Sequence, residues 1–310
     1  MGSSDHEPLS QHFAQLQRYY ASLESRIGYR AFLGGTRHFG LYKNEKSWPW
    51  PIDKALRAME DHLFASLGLS SGDLVLDAGC GYGYVAMHMA KRGLKVEGID
   101  IVDRHVARAK RNIHDRGLDK NINVRKGDYH DLSCFEDAKF EGVYTMETLV
   151  HAVEPEKVLC EFYRVLKPGG SVAFYEYDHV TVDSLPQDEK ESMKVINNFS
   201  AMPANQKFNE GVFERMIEDV GFKDVVVTDM SKKVQPMLWL FYVFAYLPYL
   251  VIKAFRLQPY FINTMAAVET YRSGLRGTYR YVVVTARKPS SKPGEEEKST
   301  VGAQRRKVTA

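Results

Sequence analysis

The chain has few cysteines and little excess charge, and both shortages restrict what it can be. Its 310 residues contain only three cysteines, none of them in a Cys-x-x-Cys pair, so neither a disulfide framework nor a thiolate zinc site is expected. The formal net charge is +3, and no basic stretch is interleaved with aromatic residues, which argues against nucleic acid as a partner. Together these features favour a protein of a reducing compartment, and we expect a cytoplasmic location.

The sequence also lacks clusters of metal-ligating residues and recognisable targeting signals. The histidines are scattered singly along the chain, so we expect no metal. The first residues lack the apolar core of a signal peptide, and position 6 is His6 rather than the Ser or Thr that myristoylation requires. With 44% hydrophobic and 26% charged residues, the chain is expected to bury a sizeable core.

What the chain does have is a glycine-rich loop between two apolar runs. The segment from Leu74 to Gly83 reads Leu-Val-Leu-Asp-Ala-Gly-Cys-Gly-Tyr-Gly, and its apolar start predicts a buried parallel strand that ends near Asp77. The glycines allow a sharp turn and a close approach of the backbone to a ligand. The next apolar run ends at Asp100, where a carboxylate can accept hydrogen bonds from ribose hydroxyls. This pattern predicts a nucleoside site.

The details of the loop decide which nucleoside is expected. The dinucleotide fingerprint needs glycine at its sixth place, where this chain has Tyr84. Asp77 disfavours a pyrophosphate, because like charges would approach in a partly desolvated pocket, and it suits the sulfonium and amino groups of S-adenosylmethionine. We therefore predict S-adenosylmethionine as the cofactor. The residues expected to hold it are Asp77, Gly79, Cys80, Gly81, Gly83, Asp100, Ile101, Gly127, Asp128, Tyr129 and Met146.

Strand and helix signals alternate from Leu74 to Tyr177, which predicts an α/β fold with a doubly wound, mostly parallel sheet. Helical patterns over 11–27 and 51–67 precede it, separated by glycine-rich and aromatic connectors. The rhythm changes afterwards, and an apolar run is followed by a closing strand. We therefore predict four parts: an N-terminal helical and aromatic cap (1–67), a cofactor-binding domain (68–230), an apolar lid with the closing strand of the sheet (231–288) and a disordered tail (289–310).

Four residues are candidates for moving a proton. Glu147 and His151 are four positions apart, so on one helical turn they would share a face and could deprotonate a nucleophile or collect a proton. The alternative is a carboxylate that caps this turn beside a structural histidine. Glu176, at the end of the fifth predicted strand, faces either the pocket or a loop network. His38 lies in a loop that either covers the site or simply packs.

These motifs resemble the class I S-adenosylmethionine-dependent methyltransferases, and more closely the sterol 24-C-methyltransferase family. The segment from Glu147 to Val153 is similar to that family's Glu-Ala-Thr-x-His-Ala-Pro motif, and Leu166 to Gly170 matches its Leu-Lys-Pro-Gly-Gly turn. Tyr175 to Tyr177 is similar to its Tyr-Glu-Trp strand end, and Thr36 to Phe39 to its Ser-Phe-His-Phe loop. The resemblance implies a seven-stranded class I methyltransferase fold. The family's Tyr-Glu-Tyr-Gly-Trp-Gly segment is replaced here by residues 28–35, so the acceptor need not be a sterol.

The expected activity is methyl transfer to a lipophilic small molecule, namely a sterol, a terpenoid or a polyketide-like compound, with C-methylation favoured. Aromatic side chains would contact this substrate and could stabilise a carbocation through their ring faces. The alternatives are O-methylation of a hydroxyl or carboxylate, and a catalytically silent protein that binds the cofactor and regulates a partner. The residues expected against the substrate are Tyr20, Phe39, Trp48, Trp50 and Tyr177.

The run from Val234 to Ile252 contains no charged residue, yet Pro236 and Pro248 interrupt it. A membrane crossing here would place the closing strand on the wrong side of the membrane if that strand joins the sheet. Three roles remain open for residues 234–261: peripheral contact with an intracellular membrane, a lid over the substrate, or an interface in a homo-oligomer.

Overall fold

The structure is a computed structural model and describes residues 6–290. Its centre is a seven-stranded sheet in the order β3-β2-β1-β4-β5-β7-β6. The strands are parallel except β7, which runs antiparallel to both of its neighbours, so the predicted mostly parallel sheet and its closing strand are confirmed. The strands are β1 (Leu74–Ala78), β2 (Lys95–Asp100), β3 (Ile122–Lys126), β4 (Phe140–Met146), β5 (Leu166–His179), β6 (Lys223–Asp229) and β7 (Tyr279–Arg287).

Helices cover both faces of this sheet. One face packs against α3, α4 and α5 and the start of α9, and the other packs against α6 and α8. The two buried apolar layers hold the strands between them and leave the carboxyl ends of β1, β2 and β4 free to line a site. The helices are α1 (His6–Ala21), α2 (Leu23–Leu33), α3 (Ile52–Leu67), α4 (Tyr84–Lys91), α5 (Asp103–His114), α6 (Pro155–Val165), α7 (Gln187–Phe199), α8 (Val212–Val220), α9 (Ser231–Ala254) and α10 (Ile262–Arg276).

The N-terminal cap differs from its prediction. The helix expected over 11–27 is two helices that meet at Ser22, and the second continues to Leu33 through residues expected to form a connector. The Ser22 hydroxyl accepts a hydrogen bond from the backbone N–H of Ser25 at 3.2 Å, which caps the start of α2. A single polar residue thus divides a continuous apolar pattern. Apart from its first two residues, the tail predicted to be disordered lies outside the described residues.

The predicted apolar run forms most of α9, which contains Pro236 and Pro248. Within residues 6–290 it is the one helix long and apolar enough to cross a membrane, and only 28% of its most apolar window is buried. Its preceding strand β6 and the later β7 pair within the same sheet. The chain therefore leaves the sheet at the end of β6 and re-enters it at the neighbouring start of β7. Between these points α9 and α10 form a helical hairpin beside the sheet.

Candidate functional site

A cavity of about 800 Å³ lies at the carboxyl ends of the central strands. The loops after β1, β2, β3 and β4 line its floor, as expected for a ligand site in an open α/β sheet. Side chains of α1 and α2, of α7, and of the α9–α10 hairpin line the remaining walls. The cavity therefore joins the predicted cofactor loop to an apolar chamber built by the cap and the lid.

The glycine loop is fastened to the neighbouring strand. The N–H groups of Gly79 and Cys80 both donate to the carbonyl of Ile99 at 2.9 Å, and the N–H of Gly81 donates to Asp100 Oδ2 at 2.9 Å. Gly79 has φ +96°, and a Cβ placed there would lie 2.7 Å from the side chain of Thr148. The lack of a side chain at this position is therefore both a conformational and a packing requirement.

We expect Gly79→Ala to lower the free energy of unfolding by about 3 kcal/mol, because it combines a positive φ with a steric clash. Gly72→Ala is the matched control, since Gly72 has φ +97° but no atom within 4 Å of the position that a Cβ would take. Urea unfolding of both variants measures the difference. Equal destabilisation of the two would mean that the contact with Thr148 contributes nothing.

Asp77 lies near the end of β1 and lines the cavity floor with a side chain that is only 3% exposed. Its Oδ2 atom has no hydrogen-bond partner within the described residues. Burial raises the pKa of Asp77 to about 7, and the charge of Asp100 acts in the same direction, while the neighbouring hydroxyl of Tyr144 acts to lower it. A buried carboxylate with an unpartnered oxygen fits a cationic ligand, which the sulfonium and ammonium groups of S-adenosylmethionine provide.

The surroundings of Asp100 shift its pKa in the direction opposite to that of Asp77. It accepts hydrogen bonds from the N–H groups of Gly81 and Val102 and contacts His105 Nδ1 at 3.2 Å. Burial acts to raise its pKa, but His105 and these amides outweigh it and leave the pKa below the usual value. An ionised carboxylate in the cavity wall fits the hydroxyls of a ribose.

Most of the other predicted cofactor residues also reach the cavity, and one does not. Cys80, Ile101, Gly127, Asp128, Tyr129 and Met146 line it. Asp128 accepts a hydrogen bond from the N–H of His130 at 2.9 Å, and Tyr129 donates its hydroxyl to the Thr148 carbonyl at 3.0 Å. Gly83 is different: it precedes α4, where a Cβ would lie 3.3 Å from Ala109. It packs α4 against α5 and does not line the cavity, so its place in the predicted cofactor set stays a prediction.

Glu147 occupies the boundary between the cofactor loop and the apolar chamber. It is held in a left-handed conformation, with φ +58°, directly after β4. Its carboxylate accepts hydrogen bonds from the N–H of Phe39 at 2.7 Å, from the hydroxyl of Tyr281 at 3.0 Å, and from the hydroxyl of Tyr177. Burial raises the pKa of Glu147 although these donors act to lower it. Both oxygens are therefore engaged in joining the loop before the sheet to β5 and β7.

His151 lies elsewhere on the wall and shares no partner with Glu147, because the segment between them is a short 3-10 turn. Burial lowers the pKa of His151 to about 4, so its imidazole is neutral near pH 7. Nδ1 lies 2.8 Å from the carbonyl of Ala201, which can only accept, so Nδ1 carries the proton. Nε2 then accepts from the hydroxyl of Tyr20 at 3.0 Å. The α-helical turn expected to put Glu147 and His151 on one face therefore does not form, although both residues line the cavity.

Glu176 and His38 take structural positions. Glu176 lies beneath the cavity wall, where its Oε1 atom accepts from the N–H groups of Thr148 and Leu149 and from the hydroxyl of Thr145. His38 lines the cavity, but Nδ1 contacts the Phe39 carbonyl at 2.8 Å and Nε2 lies 3.3 Å from Glu60. The loop-network alternative for Glu176 describes this structure, and a direct catalytic role for Glu176 does not.

The predicted substrate aromatics divide into two groups. Tyr20, Phe39 and Tyr177 line the cavity, and the Phe39 ring packs against Tyr177 with ring centroids 6.2 Å apart. Trp48 and Trp50 do not line it. Trp48 is 70% exposed and packs against Trp239 on the outer side of α9. Neither tryptophan borders the cavity in this structure, so a contact of either with the substrate stays a prediction.

Several cavity residues escaped sequence reasoning. The guanidinium of Arg37 lies between the rings of Tyr20 and Tyr82, 4.4 and 4.6 Å from their centroids. Thr148 closes on Gly79, and residues of α7 and α10 complete the chamber. Arg37 is adjacent to His38, and the sequence analysis had already identified their loop as one that could cover the site. No local signal exists for α10, whose apolar residues meet α9 only in the folded chain.

The described residues contain no group of three or more His, Cys, Asp or Glu side chains placed to hold a metal ion. The site instead combines a fastened glycine loop, a buried acid suited to a cation and an ionised acid suited to a ribose. Residues 76–174 match the family model described as a methyltransferase domain.

Similar proteins agree with this geometry. The chain is 38% identical to an S-adenosyl-L-methionine-dependent Diels-Alderase of Talaromyces variabilis, over 88% of this chain and 94% of that protein. It is 32% identical to a sterol 24-C-methyltransferase of Neurospora crassa, over 76% of this chain but only 61% of that protein. The fold matches a cyclopropane synthase from Mycobacterium tuberculosis with a TM-score of 0.72 and 18% identity, covering 89% and 98% of the two chains.

The fold and the site are those of a class I S-adenosylmethionine-dependent methyltransferase, and this chain belongs to that family. Its cofactor is S-adenosylmethionine. Within the family it is similar both to sterol 24-C-methyltransferases and to Diels-Alderases, two groups named for different reactions.

Proposed function

We propose that this protein uses bound S-adenosylmethionine to promote an intramolecular [4+2] cycloaddition of a lipophilic, polyketide-like substrate that carries a diene and an alkene. The similarity to a Diels-Alderase over nearly its whole length supports this reaction class. The apolar chamber beside the cofactor loop has room for a substrate that must fold back on itself. Bound in this site, S-adenosylmethionine supplies a fixed positive charge and a transferable methyl group.

The observation that carries the proposal is that the candidate bases are already hydrogen-bonded within the protein or lie outside the cavity. Both oxygens of Glu147 accept hydrogen bonds, both ring nitrogens of His151 have partners, and Glu176 lies outside the cavity. A cycloaddition forms two carbon–carbon σ bonds from π electrons and releases no proton, so it needs none of these groups as a base. The work left for the protein is to fold the substrate and exclude water.

The chamber has the side chains for that work. Phe39, Tyr177 and Phe241 form an aromatic wall next to Glu147, and Leu238 and Ala266 continue it along the lid. These surfaces offer area but few hydrogen bonds, which suits an extended apolar chain. Holding the diene against the alkene converts an improbable conformation into the bound one.

Methyl transfer to a carbon of a lipophilic acceptor is the second candidate, and Glu147 favours it. It lies in the segment that resembles the sterol methyltransferase motif, and its carboxylate borders the cavity. After methylation of an alkene, Glu147 would accept the proton that the resulting carbocation loses. O-methylation would use the same residue to orient a hydroxyl, and a silent regulator would bind the cofactor without either product.

One incubation separates these possibilities. Purified protein is given S-adenosylmethionine with a deuterated methyl group, together with either a linear trienone that can cyclise internally or a sterol with a side-chain alkene. Cycloaddition yields an isomer of unchanged mass and no S-adenosylhomocysteine, whereas methyl transfer yields a deuterated product and one S-adenosylhomocysteine per turnover. Deuterated product in place of the isomer would overturn the proposal in favour of methyl transfer.

We expect Glu147→Gln to leave the cycloaddition within about threefold of the wild type, because glutamine keeps the shape and can still accept from Phe39 and Tyr281. If Glu147 is instead the base of a methyl transfer, the rate should fall by roughly a hundredfold or more. Affinity for S-adenosylhomocysteine, measured by calorimetry, is the folding control. A hundredfold loss of isomer formation with unchanged affinity would contradict the proposed role.

A further inference from the structure

The far end of the α9–α10 hairpin carries a large exposed apolar surface. Leu247 and Phe255 are each 72% exposed and Tyr260 is 73% exposed, far more than the core side chains of the same helices. Contiguous apolar patches of this kind are uncommon on soluble monomers and mark interaction sites. We call this surface the apolar tip and define it as Phe244, Leu247, Leu250, Val251, Phe255, Leu257, Tyr260 and Phe261.

Among the described residues, packing within the chain leaves most of the apolar tip exposed. One face of α9, with Tyr249 and Ile252, is already buried against Ile262, Met265 and Val268 of α10. The residues of the tip stand on the other face of α9 and in the turn that follows it. Since β6 and β7 return to one sheet, α9 cannot cross a bilayer alone, and contact with a membrane surface is the arrangement left open.

The charge around the tip is mainly basic, although Glu269 of α10 acts on Lys253 and shares the Tyr249 hydroxyl with it. From residue 231 to residue 268 the sequence contains no Asp or Glu, while Lys253 and Arg256 are exposed among the apolar side chains of the tip. Glu24 of α2 approaches this region, but its carboxylate is held by the N–H groups of Asn263 and Thr264 at the start of α10. Basic residues beside inserted aromatic and aliphatic side chains complement anionic lipid headgroups.

The same charge disfavours a second copy of the chain. A two-fold symmetric contact through the tip would bring each patch against its own copy. Lys253 and Arg256 of one molecule would then face like charges with no acidic partner in the segment. An anionic lipid surface satisfies both the apolar and the basic residues.

The apolar tip is also the rim of the cavity. Phe244, Tyr260 and Phe261 are exposed to solvent and at the same time line the cavity, as does Pro248. Deeper along the same wall lie Phe241 and Leu238, and then the aromatic wall beside Glu147. A lipophilic compound could therefore pass from this surface to the reaction chamber over apolar side chains alone.

We propose that the apolar tip docks on an anionic lipid surface and takes its lipophilic substrate directly from that surface into the cavity. The loading step rests on the proposed function, since it presumes a lipophilic substrate. The docking step does not, because the protein can bind a membrane whichever reaction it catalyses.

Flotation of the purified protein with vesicles tests the docking. The wild type should float with vesicles of phosphatidylcholine and phosphatidylserine, less with phosphatidylcholine alone, and less at high salt. The double variant Leu247→Glu, Phe255→Glu should bind anionic vesicles about tenfold more weakly or worse. Leu275→Glu is the matched control, because Leu275 is 58% exposed on α10 outside the tip, and it should float like the wild type.

Two further measurements keep the outcomes distinct. Calorimetry with S-adenosylhomocysteine must give the same affinity for both variants and the wild type, which shows that the fold is intact. Sedimentation of the wild type should give a monomer. Failure of the wild type to float with anionic vesicles, equal flotation of the double variant, or a dimer that the double variant disperses would each overturn the proposal. If the wild type floats with anionic vesicles but catalyses no cycloaddition, only the proposed reaction is overturned.

Discussion

Asp77→Asn is expected to weaken the binding of S-adenosylmethionine by about 3 kcal/mol, roughly a hundredfold in Kd, because it removes the buried carboxylate that we propose as the partner of the cationic ligand. The change keeps the shape of the side chain and its contact with Tyr144. Isothermal calorimetry on the purified variant measures the loss. Asp119→Asn, an exchange of an exposed residue in the loop between α5 and β3, should leave the affinity unchanged.

The pH dependence gives a second signature of the same residue. The pKa of Asp77 is about 7 in the free protein, and a cationic ligand binds the ionised form better. Wild-type affinity should therefore rise as the pH increases toward about 7, by at most about tenfold per pH unit, and level off above it. The Asp77→Asn variant should show no such rise, and a wild-type affinity that is flat across this range would contradict the assignment.

The stability of the cofactor-free protein should fall with increasing pH over the range in which its affinity for the cofactor rises. The two measurements therefore distinguish an effect on binding from an effect on folding. A carboxyl whose folded pKa is raised stabilises the protein fully below its unfolded value of 3.8, and this stabilisation is lost as the pH rises through about 7. Asparagine cannot ionise, so the variant should be more stable than the wild type above that pH in the absence of cofactor. A variant that binds poorly and also unfolds more easily would indicate a packing defect.

The sequence predicted best those features that depend on local pattern. The strand ends at Asp77 and Asp100 and the glycine turn between them follow from apolar periodicity and backbone sterics, and both acids lie at the cavity. The closing strand from Tyr279 was likewise readable from its alternation. These elements needed no knowledge of what packs against them.

Features that depend on distant contacts were missed or misplaced. Trp48 was assigned to the substrate by its aromaticity, yet which side of α9 its loop occupies is decided by packing against Trp239. Glu147 and His151 were paired by helical spacing, which the positive φ at Glu147 breaks. That conformation is held by hydrogen bonds from residues more than a hundred positions away in the sequence, and no local pattern carries such information.

The sequence left Glu176 open between the pocket and a loop network, so its replacement is the sharpest test between these two roles. Glu176→Ala should lower the free energy of unfolding by about 3 kcal/mol, since it leaves the buried N–H groups of Thr148 and Leu149 and the hydroxyl of Thr145 without an acceptor. Urea unfolding measures this loss. The side chain of Thr148 packs against Gly79, so a change in the position of Thr148 should also disturb the cofactor loop.

Glu176→Gln should behave differently, because burial raises the pKa of Glu176 to about 8 and the wild-type side chain is protonated at neutral pH. Its stabilising effect is complete below the unfolded value of 4.5 and is lost as the pH rises through about 8. Glutamine keeps an acceptor for the same three donors and cannot ionise, so this variant should match the wild type near neutral pH and exceed its stability above about 8. An alanine variant that folds as stably as the wild type yet forms no product would instead favour the other alternative that the sequence left open, in which Glu176 acts in the pocket.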